Sequence, residues 1–178
     1  MIFIFLAQGF EECEALAPLD ILRRAEIEVK TVGIGAKTIV GAHNIPIVCD
    51  LCDNEITTDN LEGVILPGGM PGTLNLEKSE TVQKYIDYAV SNNLLIGAIC
   101  AAPSILGHKG LLKGKKATCF TGFEKELTGA DVQNLPVVRD CNIITAYGAG
   151  AAFDFGFCIL GFLKGESKAE AMKKSMRY

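Results

Sequence analysis

Histidine is the scarcest side chain here with catalytic use: there are two among 178 residues. A Cys–His or Ser–His mechanism would have only His43 and His108 to draw on. Long apolar runs are missing too, and none approaches the ~20 residues of a membrane span. Met1–Leu6 is too short for a signal-peptide core and lacks a basic start, so it reads as a first strand. Basic residues cluster only at Lys113-Gly114-Lys115-Lys116 and the net charge is −4, so nucleic acid is not an expected partner. Neither G-x-x-x-x-G-K-[ST] nor G-x-G-x-x-G occurs, which removes the usual nucleotide-phosphate cradles. Seven cysteines is an odd number and argues against a closed disulfide framework. With no targeting segment in view, a reducing cytoplasm is the expected compartment. No linker, repeat or low-complexity tract divides the chain, so residues 1–178 read as a single domain.

Short apolar runs alternate with helical patterns. Strands are expected at Met1–Leu6, Val29–Ile34, Gly63–Leu66, Leu94–Ile96, Lys116–Cys119, Val137–Arg139 and Ile143–Thr145. Helices are expected at Ala15–Ala25, from Ser79 as cap to Asn92, after Cys100, at Ala151–Leu163 and at Lys168–Met176. Thr38–Val40 and Ile45–Cys49 flank Gly41-Ala42-His43-Asn44 as a hairpin outside the main sheet. This order implies an α/β fold with a mostly parallel sheet and helices on both faces. Its site should lie beyond the carboxyl ends of the strands, where Gln8–Glu14, Pro67–Gly72 and the Cys100 turn converge.

Cys100 is the candidate nucleophile. It stands between an apolar strand and a helix that Pro103 can enter only near its start, the arrangement of a nucleophile elbow. A helix end beneath the sulfur is expected to favour thiolate. Gly69 and Ala101 can offer backbone N–H groups as an oxyanion hole, although Pro67-Gly68-Gly69 also fits a plain tight turn. Of Glu11, Glu12 and Glu14, the first two are expected to face water while Glu14 points inward as an acid whose pKa is raised. His43 falls in the hairpin turn, and His108 lies about 10 Å along the helix from Cys100, too far to serve it. Cys49 and Cys52 match C-x-x-C but lack a following helix or further ligands, so the pair reads as structural and no metal site is expected.

Taken together, Gly9-Phe10-Glu11-Glu12-Cys13-Glu14, Pro18-Leu19-Asp20 with Arg23-Arg24-Ala25, Leu66-Pro67-Gly68-Gly69, Ala98-Ile99-Cys100-Ala101-Ala102-Pro103 and Gly148-Ala149-Gly150 resemble the DJ-one/ThiJ/PfpI superfamily, most closely its parkinsonism-associated deglycase branch. The resemblance implies a flavodoxin-like three-layer sandwich, a cytoplasmic homodimer and an oxidation-sensitive cysteine paired with a glutamate. It matches Cys100 to the reactive cysteine, Glu14 to its carboxylate, and Gly69 and Ala101 to the donors around the sulfur. Arg24 matches an arginine near the pocket, and Cys49 a cysteine near the dimer interface. Phe120 stands near the family's histidine, and His43 where an arginine reaches in from the partner. Ala101 follows the nucleophile where the related peptidases carry histidine, so peptidase activity is not expected.

Two functions are therefore expected as alternatives. One is a cofactor-free thiol enzyme of glyoxalase or deglycase type, acting on small 2-oxoaldehydes such as methylglyoxal or on their adducts. The other is an oxidative-stress sensor or chaperone-like protein whose Cys100 is oxidised to sulfinate rather than turned over.

Overall fold

Alternation along β1 (Ile2–Leu6) builds a two-faced core: Ile2, Ile4 and Leu6 pack into one apolar cluster, Phe3 and Phe5 into the other. Both faces of the sheet are covered, so its strands read as continuous apolar runs. In the computed structural model, which describes residues 1–178, β1 is followed by α1 (Glu12–Arg24), β2 (Val29–Gly33), the hairpin β3 (Thr38–Val40) and β4 (Pro46–Val48), and β5 (Leu51–Cys52). Then come β6 (Gly63–Leu66), α2 (Gly72–Lys78), α3 (Glu80–Ser91), β7 (Leu95–Ile99), α4 (Pro103–His108) and β8 (Lys116–Ala117). The remainder is β9 (Asp131–Val132), β10 (Val137–Asp140), β11 (Ile143–Ala146), α5 (Ala152–Lys164) and α6 (Glu166–Met176).

The central sheet runs β10-β11-β7-β6-β1-β2-β5, parallel except for β10 against β11. The expected α/β sandwich with its small hairpin is what forms. Helix α1 packs on α5 closely enough that a Cβ on Gly156 would lie 2.7 Å from Ile21 Cδ1 and 3.0 Å from Pro18 Cα. Pro18 has no N–H to give the turn below it, which leaves α1 held by this packing more than by its own ladder.

One expectation is corrected, and two elements are added that the sequence did not signal. Lys116–Cys119 is not a strand of the central sheet: only Lys116–Ala117 forms a strand, and it pairs with β9 in a separate two-stranded sheet. There the Thr118 N–H is taken by the Thr145 hydroxyl at 2.9 Å instead of a backbone ladder. Leu51–Cys52 joins the main sheet as an edge beside β2. Residues Gly72–Lys78 form a helix although no side chain caps it.

His108 ends α4 between Glu77 of α2 and Glu126 of the following turn, with Nδ1 on the first carboxylate and Nε2 at 2.8 Å from the second. The Glu77 hydrogen bond, then that of Glu126, raises its pKa above 6.5. A raised histidine stabilises the fold fully below its unfolded pKa and loses that contribution as pH climbs through the folded one. Wild type should therefore melt above His108→Gln at pH 5.5, with the gap closing at pH 9. A gap independent of pH would remove the ion-pair explanation.

Candidate active site

The strand β7 is buried along its whole length and delivers Cys100 at its carboxyl end with φ +66°. Left-handed backbone at a non-glycine residue is strained, and here both peptide groups hold it. The Cys100 N–H donates to Ala146 O at 2.8 Å, and Cys100 O accepts from the Phe120 N–H at 2.8 Å. The half-buried side chain is thereby turned off the sheet toward the loop after β6.

Two backbone N–H groups, from Gly69 and Ala101, point at the sulfur. Gly69 has φ +88°, and a Cβ there would lie 2.4 Å from Glu11 N, so only glycine fits. On the other side lies Glu14, 1% exposed, its carboxyl accepting the Gly68 N–H at 2.9 Å and lying beside Cys100 across the gap that Gly68 leaves. Glu14 is placed by the first turn of α1, where the Glu11 carboxylate caps its N–H at 2.7 Å.

Burial pushes the Glu14 carboxyl up to about 7, against the lowering effect of the Cys100 contact and the Gly68 N–H. Burial, then the charge of Glu14, pushes the Cys100 thiol up to about 12, against the two N–H donors. The expectation of a thiol with a lowered pKa is thus corrected: α4 begins only at Pro103 and is short, so burial and a neighbouring carboxylate outweigh it. Above about pH 7 the pair carries one proton between oxygen and sulfur. Moving that proton to Glu14 creates a thiolate facing Gly69 and Ala101 together with a neutral acid beside it.

Glu12 does not face water as expected. It is 4% exposed and accepts the His43 N–H at 2.8 Å and His43 Nδ1 at 2.7 Å. Burial works against its charge, yet these bonds hold its pKa below the ordinary value. His43 is consequently pinned to its own chain's α1, with its pKa raised by Glu12. Glu11, Glu12 and His43 bring one ligand atom each within 4.8 Å of one another, but a cation there would have to break this clamp. Arg24 lies at the far end of α1, exposed and bonded to Asp20 at 2.7 Å, so it is not brought to Cys100 within this chain. Phe120 is 49% exposed beside the elbow and has no proton to give. Cys49 is buried, and burial pushes its thiol up to about 11.

Gly68 is a site residue that the sequence reading passed over. A Cβ there would lie 2.6 Å from Cys100 Cβ and 2.7 Å from Glu14 Oε2, so its missing side chain is what lets acid and thiol meet. The Gly68-Gly69 doublet was the available signal.

The model of the DJ-1/PfpI family matches residues 1–161. Protein dj-1beta of Drosophila melanogaster is 32% identical over 176 residues, covering 97% of this chain and 94% of that protein. A Caenorhabditis elegans protein named glutathione-independent glyoxalase DJR-1.2 is 29% identical over 168 residues, covering 93% of this chain and 89% of its own length. Among solved structures, a mutant of a DJ-1 superfamily protein from Salmonella typhimurium superposes with TM-score 0.94 at 33% identity, covering 99% of this chain and 97% of the other.

Proposed function

This chain belongs to the DJ-1/PfpI family, and from that premise we propose that it is a cofactor-free thiol enzyme converting small 2-oxoaldehydes, such as methylglyoxal, into 2-hydroxy acids. The observation that carries this reading is the buried Glu14 carboxyl beside the Cys100 sulfur, opposite two backbone donors. A C. elegans relative named as a glyoxalase supports it.

The thiolate adds to the aldehyde carbon, and the oxygen takes a proton to give a hemithioacetal. Glu14 as carboxylate then removes the hydrogen of that carbon as a proton, leaving an enediolate. Protonation of the neighbouring carbon by Glu14 forms a 2-hydroxy thioester. Water breaks the C–S bond, releasing the 2-hydroxy acid and the thiol. The sum is aldehyde plus water, with oxidation at one carbon balanced by reduction at the next. A carboxyl with pKa about 7 is suited to take and return that proton near neutrality. Purified Cys100→Ser should form lactate from methylglyoxal at no more than the buffer rate, while wild type forms it faster. Equal rates would sink the mechanism.

Phe120 favours a second reading, since no proton-relaying side chain stands at that edge of the elbow. Cys100 then serves as a peroxide sensor, its sulfinate held by the protonated Glu14. Stoichiometric oxidation without turnover is the outcome that selects it.

The working form in this proposal is a symmetric homodimer. The hairpin leaves Val48 73% and Ile45 49% exposed, a patch suited to a second copy. Sedimentation at micromolar concentration should give twice the chain mass, and Val48→Glu should give monomer.

A further inference from the structure

Cys100 and Glu14 line none of the surface cavities, so the elbow by itself grips little more than the reacting carbons. Next to it lies a cleft of about 350 Å³ lined by Thr118, Thr121, Glu124, Gln133, Asn134 and Tyr147. Its walls are tied to the elbow through the backbone on both sides. Thr121 follows Phe120, whose N–H holds Cys100 O, and Tyr147 follows Ala146, whose carbonyl holds Cys100 N. One hydrogen bond and one or two residue steps separate the two places, on the order of 10 Å.

Beside the apolar Cys119 and Val132, the lining offers two hydroxyls, two side-chain amides, a phenol and one carboxylate, with no lysine or arginine. Amides and hydroxyls both donate and accept, and a carboxylate only accepts, which suits a row of neutral hydroxyl groups. The carboxylate of Glu124 and the missing cation oppose a phosphate or carboxylate tail. Phe120, bonded to the elbow and preceding Thr121 in the chain, offers an exposed aromatic face to the C–H side of such a chain.

We propose that the preferred substrate is a 2-oxoaldehyde with an uncharged polyhydroxy tail, derived from a sugar, whose aldehyde reaches Cys100 while its hydroxyls occupy this cleft. This rests on the thiol reaction assigned above and narrows its substrate class. Methylglyoxal then reacts as a truncated substrate that leaves the cleft to water.

The test compares 3-deoxyglucosone, which has a hydroxylated tail, with methylglyoxal in wild type, Thr121→Val and Asn134→Leu. Each substitution should lower the ratio of the two kcat/KM values by roughly three- to tenfold, the worth of about one net hydrogen bond. Using the ratio removes any shared loss of folded protein. A second arm titrates Cys100→Ser with sorbitol, which has no aldehyde, and follows backbone NMR shifts. Shifts at Thr121, Gln133 and Tyr147 that weaken in the Thr121→Val background support the cleft even if neither oxoaldehyde is turned over, in which case only the reaction falls. An unchanged ratio in both variants, or sorbitol shifts absent from the cleft, overturns the proposal.

Discussion

Glu14→Gln should lose turnover by about 10²–10⁴-fold, the usual worth of an acid–base group, while becoming more stable than wild type at alkaline pH. The stability half follows from the raised carboxyl. Between 4.5 and about 7 the folded chain keeps a proton on Glu14 that the unfolded chain has released. Stability contributed by this site therefore falls as pH rises across that window, and above it the full cost stands. At about 1.4 kcal/mol per tenfold, that cost is about 3 kcal/mol. Urea unfolding should show Glu14→Gln ahead by up to that amount at pH 8 and level with wild type near pH 4.5. Alkylation of Cys100 provides the matching kinetic signature. Wild type should show a step near pH 7, as the pair gives up its first proton, and Glu14→Gln should lack it. With the carboxylate gone, the thiol should titrate below its wild-type value. Glu11→Gln and Glu12→Gln should keep the step. A single ordinary thiol titration in wild type, or identical behaviour of all three glutamine variants, would remove Glu14 from the chemistry.

Gly68→Ala is expected to separate the acid from the thiol with the smallest possible change. The new methyl group would sit 2.6 Å from Cys100 Cβ, 2.7 Å from Glu14 Oε2 and 2.9 Å from Ile99 O. Two of these belong to the site and the third to buried backbone, so relief has to come by moving Glu14 or the elbow. Overpacking of this kind costs about 1–3 kcal/mol, and displacing a reacting group by about 1 Å costs on the order of 10² in rate. Gly110→Ala is the control. Its φ of +71° penalises a side chain, but nothing lies within 4 Å of the added carbon. It should lose about 1–2 kcal/mol of stability and keep full turnover. If Gly68→Ala retains wild-type turnover, the contact between Glu14 and Cys100 does not depend on the gap that Gly68 leaves.

The elements legible from sequence were those whose signal is local. Continuous apolar runs announced β1, β6 and β7, and Ser79 marked the start of α3. A two-residue strand such as β5 has no period to detect, and its place is set by pairing with β2. Cys100 and Glu14 stood out because residue type and position at strand ends suffice to nominate them. The raised Glu14 carboxyl was legible too, but the raised Cys100 thiol was not, since burial at 100 depends on what covers it. Glu12 shows the same limit. Its neighbours in sequence suggest a solvated acidic face, but its partners come from the hairpin turn at His43.

The two borders of the central sheet also bear on how the protein behaves when crowded. One border is β5, only two residues long. The other is the antiparallel β10, carrying Arg139 and Asp140, with the Asp140 carboxylate accepting the Lys116 N–H at 2.9 Å. Neither offers another chain a long, flat, uncharged row of free peptide groups on which to add a strand. A parallel sheet this apolar is a hazard while it assembles, yet once closed it gives strand-by-strand aggregation little to start from. Deposits of this protein should therefore be seeded by unfolded chains, with folded ones contributing little.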